Sequence, residues 1–210
     1  MKVLAFFGAF NPPTVAHIDL AKYALDQTDA DKVIFVPSKS SYISGVQRKD
    51  YAFSDSERLE MLNAAAALRP WMLVSGIEIC RETQPRTYDT LCALRELGFA
   101  PSLLLGSDKL PELEKGWKHI DEISKEFGII CLCRGNDNCE RMISENKYLS
   151  TISKYIRIVK TPEDMHFISS TAVRHDIMDN GILDETGSML TKEVLEIALR
   201  SVKKENDDET

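Results

Sequence analysis

Two short stretches carry residue types that can hold an anion. The first is Gly8-Ala-Phe-Asn-Pro-Pro-Thr-Val-Ala-His17. An apolar run, Val3–Phe7, ends at Gly8, and a helical pattern starts near Thr14. Gly8 and Ala9 are small enough for a phosphate to approach the backbone. Helix N-termini present unpaired N–H groups and the positive end of a dipole. Thr14 and His17 lie three apart and share a face once the helix has begun. A hydroxyl and an imidazole there can both donate to phosphate oxygens; a capping threonine beside an ordinary surface histidine is the plainer alternative. The second stretch is Ile168-Ser-Ser-Thr-Ala-Val-Arg174. Ser169, Ser170 and Thr171 can cap a helix, and Arg174 falls one turn later. Hydroxyls, backbone N–H groups and a guanidinium make a strong anion clamp, against the simpler reading of a capped helix with a solvated arginine. The two stretches flank most of the chain, as two halves of one site would.

The elements that must position these groups alternate. Strand-like segments are Val3–Phe7, 31–37, Trp71–Val74 with an extension toward Ile79, Ser102–Leu105, Phe127–Cys133 and Tyr155–Lys160. Helix-like segments run through Ile18, Ala21 and Leu25, then over Ser56–Leu68 behind a Ser54 or Asp55 cap, Thr87–Leu97, Trp117–Ile123, Glu140–Tyr148, Ser170–Met178 and Lys192–Val202. Residues 38–53 are polar, contain Gly45 and read as a long loop, a kind that is usually functional or mobile. Apolar strands alternating with helices predict an α/β fold, a Rossmann-like doubly wound parallel sheet with a small C-terminal helical part. The expected organisation is one domain over 1–202, with 170–202 as the helical part and 203–210 as a frayed charged tail. Ligands on such sheets sit at the carboxyl ends of the strands near the topological switch point. Three turns are expected there: the one after the first strand, Gly106–Asp108, and the one leading into Ser169.

Bulk properties narrow the classes. The chain has 210 residues, 43% hydrophobic and 28% charged, in the range of soluble globular proteins. No apolar run is long enough for a membrane span, and the N-terminus has no signal-peptide pattern, so a cytoplasmic protein is expected. The net charge of −7, mixed along the chain, argues against a nucleic-acid binder but leaves room for one positive pocket. Five cysteines, an odd count, suggest reduced thiols. Cys131 and Cys133 lie in an apolar strand-like run and read as core filling, not as half a metal site.

Taken together, these residues resemble a known family. Residues 8–17 look like the Gly-x-Phe-Asp/Asn-Pro-x-His/Thr-x-x-His signature of the nucleotidylyltransferase superfamily, and Ile168–Arg174 matches its Ile-Ser-Ser-Thr-x-x-Arg signature. Within the superfamily the chain is most similar to the nicotinate-nucleotide adenylyltransferases. Residues 31–37 resemble the family's second strand, and Glu57-Arg-Leu-Glu-Met-Leu62 its Arg-x-x-Met-Leu helix. Ser75-Gly-Ile-Glu78 with Arg81 and Thr87-Tyr-Asp-Thr-Leu91 resembles its substrate-loop region. Leu105-Gly-Ser-Asp108 with Trp117 resembles its Gly-x-Asp and tryptophan pair. The resemblance covers residues 1 to about 200.

The resemblance implies adenylyl transfer from ATP to nicotinate mononucleotide, giving deamido-NAD and pyrophosphate. His17, Thr14 and Arg174 would be the catalytic groups. ATP would be held by Gly8, Ala9, Phe10, His17, Gly106, Asp108, Ser169, Ser170, Thr171, Arg174 and Arg134. The mononucleotide would meet Asn11, Lys39, Thr87, Trp117 and Arg86, with Trp117 stacked on the pyridine ring. Mg²⁺ would be held mainly by the phosphates, with no protein ligands. The implied partners are ATP and a pyridine mononucleotide, with no nucleic acid and no membrane; a homo-oligomer is open. Departures from the pattern are Thr14 for the first histidine, Pro85-Arg86-Thr87 for Ser-Tyr-Thr, and a 38–49 segment in which Lys39, Arg48 and Lys49 compete as the phosphate contact. Alternatives are nicotinamide mononucleotide as acceptor, phosphopantetheine as acceptor, CTP as donor, or a nucleotide-sensing binding protein without catalysis.

Overall fold

The apolar run at 33–37 has no polar residue that could face water, and in the computed structural model it forms, after Lys32, a strand whose residues from Val33 to Pro37 are all buried. The structure describes residues 1–45, 53–133, 135, 137–162, 170–180 and 187–208. The described residues form six strands: β1 (Lys2–Gly8), β2 (Lys32–Pro37), β3 (Met72–Val74), β4 (Ala100–Gly106), β5 (Ile129–Cys133) and β6 (Ile156–Lys160). They form one sheet in the order β3-β2-β1-β4-β5-β6. β1 pairs parallel with β4, β4 with β5 and β5 with β6, in registers such as Leu4↔Ser102, Leu105↔Cys131 and Cys131↔Ile158. The strand order winds outward from β1 in both directions, which is the doubly wound arrangement the alternation predicts.

The helices are α1 (Val15–Asp26), α2 (Ser40–Gly45), α3 (Asp55–Ala67), α4 (Thr87–Glu96), α5 (Leu113–Gly116), α6 (Ile120–Phe127), α7 (Cys139–Glu145), α8 (Lys147–Ile152), α9 (Ser170–Asn180) and α10 (Lys192–Asp208). α3 begins with a capping box: the Ser54 hydroxyl accepts from the Glu57 N–H, and the Glu57 carboxylate accepts from the Ser54 N–H. No helix among the described residues is long and apolar enough to cross a membrane.

Several boundaries differ from those expected. Within 38–53 the short helix α2 stands where a loop was expected, while 46–52 lie outside the described residues. The third strand stops at Val74, because Cys80 N–H bonds back to the Gly76 carbonyl at 3.0 Å and 77–80 turn. Trp117 does not open a helix. It has extended backbone and follows a 3-10 helix (Ser107–Glu112) and α5, and α6 starts only after His119, whose φ of 62° is left-handed. Phe127 ends α6 and does not start β5, because Gly128 adopts φ 72° and its N–H reaches the Ile123 and Ser124 carbonyls. Asn146 divides 140–148 into two helices by capping α8: its side-chain oxygen accepts from the Tyr148 and Leu149 N–H groups, each at 2.9 Å. The last helix continues past Val202 to Asp208.

The residues group into two compact units. One comprises Met1–Phe7, Leu20–Ile34 and Pro85–His166; the other Gly8–Asp19, Phe35–Gln84 and Phe167–Thr210. The core of the first includes Leu4, Leu94, Leu103, Ile123 and Cys131; that of the second includes Phe10, Phe35, Met61, Leu62 and Val194. In the second unit an ion pair, Arg69–Glu193 at 2.7 Å, links the end of α3 to α10.

Candidate active site

The turn after β1 belongs to the second unit. Space at Gly8 is tight: a Cβ there would lie 3.0 Å from the Phe10 ring, which would have to shift to admit it. Phe10 has φ 44° and is buried, packed edge-on against His17 and tilted against Phe35, each with centroids 5.3 Å away. The carbonyls of the turn point to donors. Gly8 accepts from Ser38 N–H at 3.0 Å, Ala9 from Arg58 Nη1 at 2.6 Å, Asn11 from Arg174 Nη1 at 2.8 Å and Pro12 from Ser170 Oγ at 3.0 Å. The Asn11 side chain is buried, and its Oδ1 accepts from Phe53 N–H at 2.9 Å. A turn with four of its carbonyls occupied by other donors is suited to an anion.

His17 sits in the first turn of α1, and its tautomer follows from its partners. Its Nδ1 lies 3.1 Å from the Thr14 backbone nitrogen and 2.8 Å from Thr14 Oγ1. A backbone N–H can only donate, so Nδ1 accepts and the ring proton sits on Nε2. The same contact caps α1, as an acceptor at the third helical position reaching back to the cap N–H. Thr14 is fully buried, with its hydroxyl against the imidazole. Arg174, on α9, is buried, and beyond Asn11 its Nη2 donates to Thr171 Oγ1 at 3.0 Å. Thr14, His17, Asn11, Ser170, Thr171 and Arg174 are thus brought together. Ser169 lies outside the described residues, as do Arg48 and Lys49. Lys39 donates its ammonium to the Ile79 and Arg81 carbonyls at 2.8 and 2.6 Å, tying down the 77–80 turn.

The remaining predicted residues belong to the first unit. Gly106 ends β4, and the next residue, Ser107, is fully buried and hydrogen-bonds to Asp137. Asp108 is exposed, with Lys109 Nζ 3.8 Å away. Thr87 opens α4 behind Arg86, which is exposed, and Trp117 is half-buried between α5 and α6. Their neighbours touch: Tyr88 and His119 have ring centroids 5.2 Å apart at 31°. The Tyr88 hydroxyl donates to Glu126 at 3.0 Å, and this bond, with the Cys92 thiol and burial adding to it, pushes the phenol up to about 12. Arg134 lies outside the described residues. Among the cysteines, burial pushes Cys131 up to about 12 and raises Cys139, so these thiols stay protonated and suit the core.

Residues 5–176 match the family described as cytidylyltransferase-like. The chain belongs to this family. Within it, it belongs with the nicotinate-nucleotide adenylyltransferases. It is 32% identical over 181 residues to the probable nicotinate-nucleotide adenylyltransferase of Carboxydothermus hydrogenoformans, covering 85% of this chain and 87% of that one. Against the protein of the same name from Neisseria meningitidis serogroup C it is 31% identical over 191 residues, covering 87% and 90%. Two solved structures of Plasmodium falciparum nicotinic acid mononucleotide adenylyltransferase share the fold. The one complexed with APC has a TM-score of 0.73 at 15% identity, and the one complexed with NaAD 0.72 at 16%; each comparison covers 95% of both chains.

One residue of this adenylyltransferase-family chain had no role assigned from its sequence. Arg58 is fully buried in α3 and donates to Ala9, Ser38, Ser40, Phe53 and Asp55. Burial lowers its pKa, and the Asp55 carboxylate opposes that. Burial works to raise Asp55, but hydrogen bonds from Ser40 and the Arg58 charge outweigh it and hold the carboxyl below its usual range. The signal was in the spacing. Positions 58, 61, 62 and 65 form the buried face of α3, so an arginine at 58 has to be paired inside.

Proposed function

We propose that this protein transfers the adenylyl group of ATP to nicotinate mononucleotide, releasing deamido-NAD and pyrophosphate, a reaction of NAD biosynthesis in the cytoplasm. The observation that carries this reading is the His17 imidazole, held through Nδ1 by Thr14 so that Nε2–H is the donor. It stands on a turn whose carbonyls at 8, 9, 11 and 12 accept from other donors. An oxygen of the mononucleotide 5′-phosphate attacks the α-phosphorus of ATP. The new P–O bond forms as the bond from the α-phosphorus to the bridging oxygen breaks, and the electron pair leaves with pyrophosphate. The nucleophile is already ionised at neutral pH, so no side chain has to take a proton from it. Catalysis is then alignment and charge stabilisation.

His17 Nε2–H and the N-terminus of α1 stabilise charge on the triphosphate. Thr14 orients His17, and Ser170, Thr171 and Arg174 hold the far side of the turn. The turn supplies hydrogen-bond donors and a neutral imidazole, a set that suits phosphate oxygens, so Mg²⁺ would be held by the phosphates and would supply neutralisation of their charge. For the acceptor, Trp117 stacks on the pyridine ring and Thr87 lines its polar edge; the Tyr88–His119 contact supports this by joining their two segments. The test is product analysis with ATP and Mg²⁺. Nicotinate mononucleotide is expected to give deamido-NAD and pyrophosphate in equal amounts, and phosphopantetheine neither. Turnover with phosphopantetheine alone would refute the reading.

A further inference from the structure

We propose that Arg58 is a positioning residue for ATP, acting by holding the Ala9 carbonyl and, through Phe53, the Asn11 side chain of the phosphate turn. This rests on the reading of that turn as the triphosphate site. The guanidinium is 0% exposed and spends its donors in three directions. Nη1 reaches the Ala9 carbonyl at 2.6 Å. Nη2 reaches the Ser38 carbonyl and Asp55 Oδ1, both at 2.6 Å, and Ser40 Oγ at 3.2 Å. Nε reaches the Phe53 carbonyl at 3.1 Å. Phe53 in turn donates its N–H to Asn11 Oδ1 at 2.9 Å. The hub therefore grips the turn twice, once by backbone and once by side chain.

The consequence for an anion follows from peptide geometry. The C=O and N–H of one trans peptide point in opposite directions. Pulling the Ala9 carbonyl toward Arg58 aims the Phe10 N–H the other way and keeps a carbonyl dipole from facing the phosphates. A lysine retains the charge at 58 but has one nitrogen, and cannot satisfy the Ala9, Ser38 and Phe53 carbonyls together. Asp55 keeps the charge paired and also accepts from the Ser40 N–H and hydroxyl, at 2.6 and 2.8 Å.

The experiment measures equilibrium binding of a non-hydrolysable ATP analogue and of nicotinate mononucleotide to the full chain, with circular dichroism and melting recorded beside them. The variants are Arg58→Lys and Asp55→Asn. The expected result for Arg58→Lys is analogue binding about tenfold weaker or more, the scale of a lost charge-assisted hydrogen bond, with mononucleotide binding weakened less, by about threefold at most. Asp55→Asn should shift the analogue in the same direction by less. Wild-type analogue affinity in a folded Arg58→Lys protein, or equal weakening for both ligands, would overturn the proposal. If Arg58→Lys does not fold, Asp55→Asn decides by the same outcomes. The wild type separates the two readings. A chain that binds no ATP analogue defeats the triphosphate site itself, whereas binding without turnover on pyridine mononucleotides defeats only the acceptor assignment.

Discussion

At the residue scale, the chemistry depends on which nitrogen of His17 carries the proton. Because Nδ1 accepts from Thr14, the role proposed for the ring is that of a neutral donor to phosphate and not of a base. His17→Ala is expected to lower kcat by well over tenfold, about 1.4 kcal/mol or more of transition-state stabilisation, beside a loss of about 1 kcal/mol in stability from the missing α1 cap. Equal activity in the variant would remove His17 from the mechanism. The Asp55–Arg58 pair makes a prediction about pH. Asp55 is held below its ordinary range in the fold, so the pair stabilises the folded protein above the unfolded carboxylate value, about 4. That contribution is lost as the pH falls through the lower folded value. Denaturation of the wild type and Asp55→Asn should therefore differ at neutral pH and converge in strong acid; a gap that widens on acidification would contradict the pairing. His17, Thr14 and Arg174 stand out in the sequence through the family signatures at 8–17 and 168–174, whereas the local pattern alone fits a capping threonine beside a surface histidine equally well. Arg58 was not assigned a role because a single arginine on a helix looks solvated until the buried face is traced through Met61, Leu62 and Ala65.

At the scale of elements, local rules located every strand and the principal helices, since apolar runs and caps act over a few residues. The Ser54–Glu57 capping box was foreshadowed by Ser54, and Ser54→Ala is expected to destabilise the fold by about 1 kcal/mol in chemical denaturation; no loss would mean that water replaces the cap at no cost. Two of the boundary differences, at Trp117 and at Phe127, fall within 107–128. There the chain uses a 3-10 helix, a left-handed His119 and a Gly128 cap in quick succession. A non-glycine residue at positive φ is held by its surroundings and leaves little trace in periodicity. Those surroundings include Tyr88, whose ring packs on His119. His119→Ala removes that packing beside Trp117, and the expected result is a raised KM for the mononucleotide with kcat and the KM for ATP near wild type. A KM change for ATP alone would place His119 elsewhere in the reaction.

At the scale of the whole molecule, alternation of strands and helices was enough to give a doubly wound sheet, because parallel strands require crossover connections. The order β3-β2-β1-β4-β5-β6 is a property of long-range pairing and came only with the structure. The two units, each assembled from three separate stretches of chain, were equally invisible to a reading in which neighbours in sequence define a domain. The acceptor is the hardest feature to extract from sequence. A carboxylate and a carboxamide have nearly the same shape, and one or two hydrogen-bond partners decide between them. Initial rates of pyrophosphate release, measured with ATP, Mg²⁺ and either nicotinate or nicotinamide mononucleotide, test the central claim most directly. Turnover with the nicotinate form is expected to be at least about tenfold more efficient in kcat/KM, a difference of about 1.4 kcal/mol. No release with either mononucleotide, or a tenfold preference for the amide, would contradict it.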